Sequence, residues 1–109
     1  MRAGSLDQRV RFEKIERTPD GGGGYSERWV EYITVWGGFT PERARERVEA
    51  GRVASSFAGV LRIRWSRVAS MIGQPDRVII GGIAYNIRSA ANPDQRRDML
   101  EFGVETDGS

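Results

Sequence analysis

Apolar and polar positions alternate along this chain in short bursts, separated by glycine, proline and small polar residues. Arg9-Val10-Arg11-Phe12-Glu13 repeats with period two, which predicts a strand with Val10 and Phe12 inward. Thr18-Pro19-Asp20, followed by the glycines at 21–24, predicts a turn. Tyr25 to Phe39 is a second extended stretch, rich in aromatic and β-branched residues. Its two faces compete: Trp29, Ile33 and Val35 fall on one side, Val30, Tyr32 and Trp36 on the other, and Gly37-Gly38 is expected to break or bulge it. Strand character returns at Val60 to Trp65, with Leu61, Ile63 and Trp65 on one face and Arg62 and Arg64 on the other. Val78 to Ile87 is the clearest local signal. Gly81-Gly82 between two apolar alternations predicts a hairpin in which Val78 faces Tyr85 and Ile80 faces Ile83. Val78, Ile80, Ile83, Tyr85 and Ile87 then share one face. Ala91-Asn92-Pro93-Asp94 turns the chain, and Leu100 to Val104 is a last alternating strand.

The segment Thr40 to Ser56 breaks this rhythm. Thr40-Pro41-Glu42 has the residues of a helix start. Only Ala44, Val48 and Ala50 are apolar inside it, too few to hold a helix on a core. Glu42/Glu46 and Arg43/Arg47 would be like-charged pairs one helical turn apart. The segment reads as an exposed excursion, helical or extended, without partners in its own chain. The fold expected is mainly all-β, a small antiparallel barrel of five to six short strands with this one long charged excursion. One domain spans 1–109, with an arm at 1–8, the excursion at 40–56 and a frayed tail at 105–109.

Composition narrows the function. With no His and no Cys among 109 residues, Cys/His zinc sites, disulfides, cysteine nucleophiles and histidine bases are excluded. The glycines at 21–24 lack a following Lys-Ser/Thr and make no phosphate loop. Asp and Glu are scattered singly, and no serine has a base near it in sequence, so no enzyme, metal, cofactor or small-molecule substrate is expected. No apolar run is long enough to span a membrane, and the N-terminus has no secretory apolar region; a cytoplasm-like compartment is expected. Net charge is +2, but its distribution is uneven: residues 1–40 sum to 0, residues 41–67 to +4, and residues 68–109 to −2. Sixteen of the seventeen basic residues are arginine, the side chain suited to carboxylate and phosphate contacts, although a G/C-rich genome yields the same bias. The split suits subunits that stack head to tail, and the positive middle suits loose contact with nucleic acid.

Taken in order, several pieces resemble a known family. They are Arg2-Ala3-Gly4, Leu6-Asp7 and Arg9-Val10; the Asp20 turn; Trp29 and Trp36; and an excursion containing Glu46 and Ala50. Ile63-Arg64-Trp65, Gly82 with Tyr85 and Ile87, Asn92-Pro93-Asp94 with Arg96-Arg97, and Leu100-Glu101 complete the set. Across nearly its whole length the chain is similar to the bacteriophage head–tail joining proteins, also called head-closure or stopper proteins, which occur in gene transfer agents too. The resemblance implies a β-barrel that assembles with itself into a ring, of six or twelve copies, below the portal and adaptor of a particle neck. The ring continues the channel for double-stranded DNA, and a tail or tail-terminator protein docks beneath it. A loop after the second strand gates the channel, and by order that loop is residues 40–56.

The charges on that loop come from this sequence. Arg43, Arg45, Arg47 and Arg52 interleave with Glu42, Glu46 and Glu49, and are candidates for contacts between subunits or with DNA phosphate. Arg62 and Arg64 are further candidates for phosphate or an interface. Two other readings stay open. One is a stand-alone nucleic-acid-binding barrel, with Trp65, Tyr85 or Tyr25 as stacking platforms. The other is a different neck component, an adaptor or tail terminator.

Overall fold

The computed structural model describes residues 6–49, 52–92 and 97–106, with the backbone course alone for 43–49 and 52–56. Six antiparallel strands follow one another as β1 (Gln8–Pro19), β2 (Tyr25–Glu49), β3 (Arg52–Arg64), β4 (Arg77–Ile80), β5 (Ile83–Ala91) and β6 (Met99–Glu105). They close into a barrel in the order β1-β2-β3-β6-β5-β4, with β4 returning to β1 through Val10↔Ile80 and Phe12↔Val78. Closure pairs both edges of the wall, and a barrel this small fills its interior with side chains. Val10, Phe12, Leu61, Ile63, Val78, Ile87, Phe102 and Val104 are buried there, and the Phe12 and Phe102 rings pack tilted at 5.3 Å.

The hairpin read from Gly81-Gly82 is present in the expected register, Val78↔Tyr85 and Ile80↔Ile83. Both glycines take positive φ, +59° and +83°, as a primed two-residue turn requires. Ile83 departs from the expected buried face. It stands beside the turn at the barrel's end and is 43% exposed, while Val78, Ile80, Tyr85 and Ile87 are buried.

The competing faces of β2 have a simple cause. Phe12 pairs with Ile33 but Glu13 pairs with Glu31, so Tyr32 is an extra residue that switches the alternation. Beyond this bulge Ile33, Val35 and Phe39 pack on the core. Gly37-Gly38 neither breaks nor bulges the strand, contrary to expectation. Gly37 pairs with Gln8 on one side and Ile63 on the other, at the point where β2 passes from β1 to β3. A Cβ there would lie 3.1 Å from the Arg62 carbonyl oxygen and from the Leu61 and Ile63 side chains, so a side chain would crowd the close approach that glycine allows.

Between β3 and β4 a 3-10 turn, Ala69–Met71, buries Ala69 and Ile72 and is the one helical element among the described residues. The Ala69 N–H donates to the Ser66 hydroxyl at 3.1 Å. At the chain's end, Glu105 pairs with Ala58 and Asn86, and the Thr106 N–H donates to the Phe57 carbonyl. Ordered pairing therefore runs to 106, past the expected start of the tail at 105. Residues 1–5 of the expected arm, the Pro93–Asp94 part of the expected turn, Arg96 and the tail residues 107–109 lie outside the described residues.

Two ribbons leave the closed wall. β1 loses its β4 partner after Glu13↔Arg77, and residues 14–19 continue paired only with 25–30 of β2. Ion pairs lace this ribbon, Arg17–Glu27 at 2.7 Å and Arg28–Glu16 at 3.0 Å. At its tip the Asp20 carboxylate accepts hydrogen bonds from the Gly22 N–H (2.8 Å) and the Gly24 N–H (3.1 Å), the expected turn. The second ribbon is the distal part of β2 and β3. Together they account for a radius of gyration of 15.7 Å, against about 13 Å for a compact chain of this length.

Candidate functional site

The charged excursion is extended, which settles the choice left open by the sequence. β2 runs through Thr40 and Pro41 to Glu49, and β3 returns from Arg52, with Arg45↔Ser56, Arg47↔Ala54, Val48↔Val53 and Glu49↔Arg52 in register. The helix-start residues at 40–42 are overridden because no apolar stripe follows them and like charges recur at helical spacing. The segment also has partners in its own chain, contrary to expectation, since its two halves pair with each other. Pro41 fits because among the described residues β2 has a neighbour there on one side only, the setting in which a sheet tolerates proline.

The root of this ribbon is fixed to the barrel. Gly59 sits opposite Pro41, under the Phe39 ring, and the Phe39 ring packs at 5.4 Å on buried Tyr85. Glu42 pairs with Ala58 but Arg45 with Ser56, so β2 carries two residues, Arg43 and Ala44, opposite Phe57 alone. This bulge bends the ribbon where it leaves the wall. On the other strand, the Phe57 N–H donates to the Thr106 hydroxyl at 2.9 Å, and the Thr106 N–H donates back to the Phe57 carbonyl at 2.8 Å. The ribbon's root is therefore tied to Thr106 on one strand and to the core, through Phe39, on the other.

All seven candidate residues of the excursion, Glu42, Arg43, Arg45, Glu46, Arg47, Glu49 and Arg52, lie on this one ribbon. Glu42 is exposed at its root. The register puts positions 45, 47, 49 and 52 on one side of the ribbon, and 46 and 48 on the other. Arg62 and Arg64 are placed elsewhere, on the outer face of the barrel wall. Arg62 stands opposite Glu101 on β6, with Nε 2.8 Å from a carboxylate oxygen, so its charge is met within the chain. Arg64 is exposed and borders an open groove with Trp65 and Trp36.

The three aromatic platforms fare differently. Tyr85 is buried in the core and offers no face to a base. Trp65 packs partly on the core, and the Arg97 guanidinium lies 5.3 Å over its ring. Tyr25 is exposed, on the other ribbon. Sequence reasoning missed Trp36 as a surface feature. It is 52% exposed, with Arg9 stacked over it at 5.0 Å from the opposing position on β1. The Arg9/Trp36 pairing is invisible until the register of β1 against β2 is known. Among the described residues no cluster of acidic side chains is arranged to hold a metal, and no helix is long and apolar enough to cross a membrane.

A closed barrel that holds a two-stranded arm off its wall, with Arg17–Glu27, Arg28–Glu16 and Arg62–Glu101 pairing from strand to strand, is a β-barrel scaffold with a projecting ribbon, and that is the class the fold defines. The comparisons give that class its setting. The chain belongs to the phage head completion protein family, whose model matches residues 1–107; this is a family of structural proteins rather than enzymes. Among solved structures the chain is similar to a chain of the virion of a native gene transfer agent particle. The TM-score is 0.71 at 23% identity, covering 91% of this chain and 92% of that one. It is also similar to protein SF1141 from Shigella flexneri 2a, with a TM-score of 0.70 at 20% identity, covering 100% of this chain and 99% of that one. At these identities both share the fold. No curated protein matches the chain.

Proposed function

We propose that this protein is a head-closure component in the neck of a phage or phage-like particle such as a gene transfer agent. In this reading copies form a ring of six or twelve between the portal-side adaptor and the tail or tail terminator. Their 40–56 ribbons converge in the channel and retain the packaged double-stranded DNA. The observation that carries the reading is the ribbon itself. Beyond Phe57, which is bonded to Thr106, its two strands pair among the described residues only with each other, and an isolated two-stranded ribbon is marginal in water. Its outer edges carry backbone donors and acceptors that neighbouring copies can meet. Each ribbon alone is a weak obstacle, but symmetric copies meeting on an axis add their contacts. The interleaved Arg43, Arg45, Arg47 and Arg52 with Glu42, Glu46 and Glu49 can pair between copies, and the same arginines can touch phosphate without reading sequence. An arm ordered mainly by its neighbours has two states, which suits a gate that holds and then yields.

Deleting residues 43–52 tests this. The remaining 53–57 make a connection of ordinary length between Glu42 and Ala58, so the barrel is expected to fold with its thermal midpoint nearly unchanged. Particles carrying the deletion are expected to package DNA and then lose it. Filled heads with normal tails would contradict the gating role.

A further inference from the structure

The end of the barrel where β1 begins and β3 ends carries an open groove of about 810 Å³. Leu6 and Val35 make it apolar, Trp36 and Trp65 form its walls, and Arg9 and Arg64 stand over it. Arg9 stacks on Trp36 at 5.0 Å, which holds its guanidinium at the groove. Neither Arg9 nor Arg64 forms an ion pair among the described residues, and the one acid in the lining is Asp7.

Trp and Arg are the residues that most often dominate binding at protein interfaces. We propose that this groove binds an extended acidic peptide segment of a different particle protein, with an apolar side chain seated between Trp36 and Trp65 and its carboxylate on Arg64 and Arg9. Charge complementarity selects that occupant. A second copy is less suited, because most acids of its barrel wall and of its 14–30 ribbon are already engaged, and those of its 40–56 ribbon belong, in the proposed function, to the channel. Glu13 is held by Arg11 and Arg77, Glu101 by Arg62, and Glu16 and Glu27 by Arg28 and Arg17. A nucleic-acid strand is less suited too, since the apolar floor of Leu6 and Val35 and the Asp7 carboxylate offer nothing to a phosphate chain.

The inference rests on the chain being a particle component, and its test keeps the two apart. Trp36→p-benzoylphenylalanine is incorporated, purified particles are irradiated, and the attached peptide is identified by mass spectrometry. A segment of another particle protein with Asp or Glu beside an apolar residue is the expected product. Arg64→Glu in the same chain is expected to cut its yield about tenfold by placing like charges together. Arg9→Glu is a second variant with the same expectation, and both positions are exposed. Cross-links to DNA, to a second copy or within the chain, or a yield that ignores both reversals, would overturn the groove assignment alone. Particles that lack the chain altogether would overturn the particle role and the groove's partner with it.

Discussion

Gly59 shows how one residue fixes the geometry on which the proposed function depends. A Cβ at this position would lie 2.7 Å from the Thr40 carbonyl oxygen and nearer still to the Phe39 ring. Gly59→Ala therefore forces the ring or the ribbon root to move, at about 1–3 kcal/mol. The midpoint of thermal unfolding is expected to fall by roughly 4–8 °C per kcal/mol in a chain of this size. An unchanged midpoint would show that Phe39 moves aside freely. Asp20 makes a second case. It is exposed, and the backbone N–H groups of Gly22 and then Gly24 hold its carboxyl below the ordinary aspartate range. A depressed folded value means the ionised form favours the turn. That contribution is present above the unfolded value and fades as pH falls through the folded one. NMR titration of Asp20 is expected to give a lower midpoint in the native chain than in the same chain unfolded in denaturant; equal midpoints would contradict the turn geometry.

At the scale of elements, the β4–β5 hairpin gives a paired prediction. Gly81→Asn keeps a residue that tolerates positive φ and suits a primed turn, so stability is expected to change by less than about 0.5 kcal/mol. Gly82→Val puts a β-branched side chain at φ +83° and is expected to cost about 1–2 kcal/mol. Denaturant titration of the two variants separates them, and equal losses would contradict the turn. This hairpin was legible in sequence because a two-residue glycine turn and a period of two fix its register together. Val10, Phe12, Leu61, Ile63, Phe102 and Val104 were legible as buried for the same periodic reason. The inner face of β2 was not, because Tyr32 is inserted at a bulge and shifts the parity midway. The helix-or-strand question at 40–56 stayed open because neither state has a hydrophobic face there; pairing between its own halves decides it. The 3-10 turn burying Ala69 and Ile72 left no trace, since two apolar residues three apart carry no period. The groove was hidden more deeply, because Arg9, Trp36 and Arg64 come from three strands and only the register brings them together.

At the scale of the whole molecule, the barrel is a mount and the ribbons are its reach. A closed wall leaves little backbone edge of its own to offer a neighbour, so in the proposed assembly strand-to-strand contact falls mainly to the two ribbons, the one at 14–30 laced by its own ion pairs and the one at 40–56 rich in arginine. Contact through the wall falls, in the proposed assembly, to side chains, foremost those of the Trp36–Trp65 groove. Under the proposed function this division separates holding from gating. Shortening the arm is expected to spare attachment, and reversing charge in the groove is expected to spare the arm. The most direct measurement is a cryo-electron microscopy map of the neck of particles that contain this chain. The account predicts a closed ring of its barrels around the DNA channel, with the 40–56 ribbons pointing inward and meeting near the axis. Ribbons directed away from the channel, or barrels not arranged around it, would contradict it.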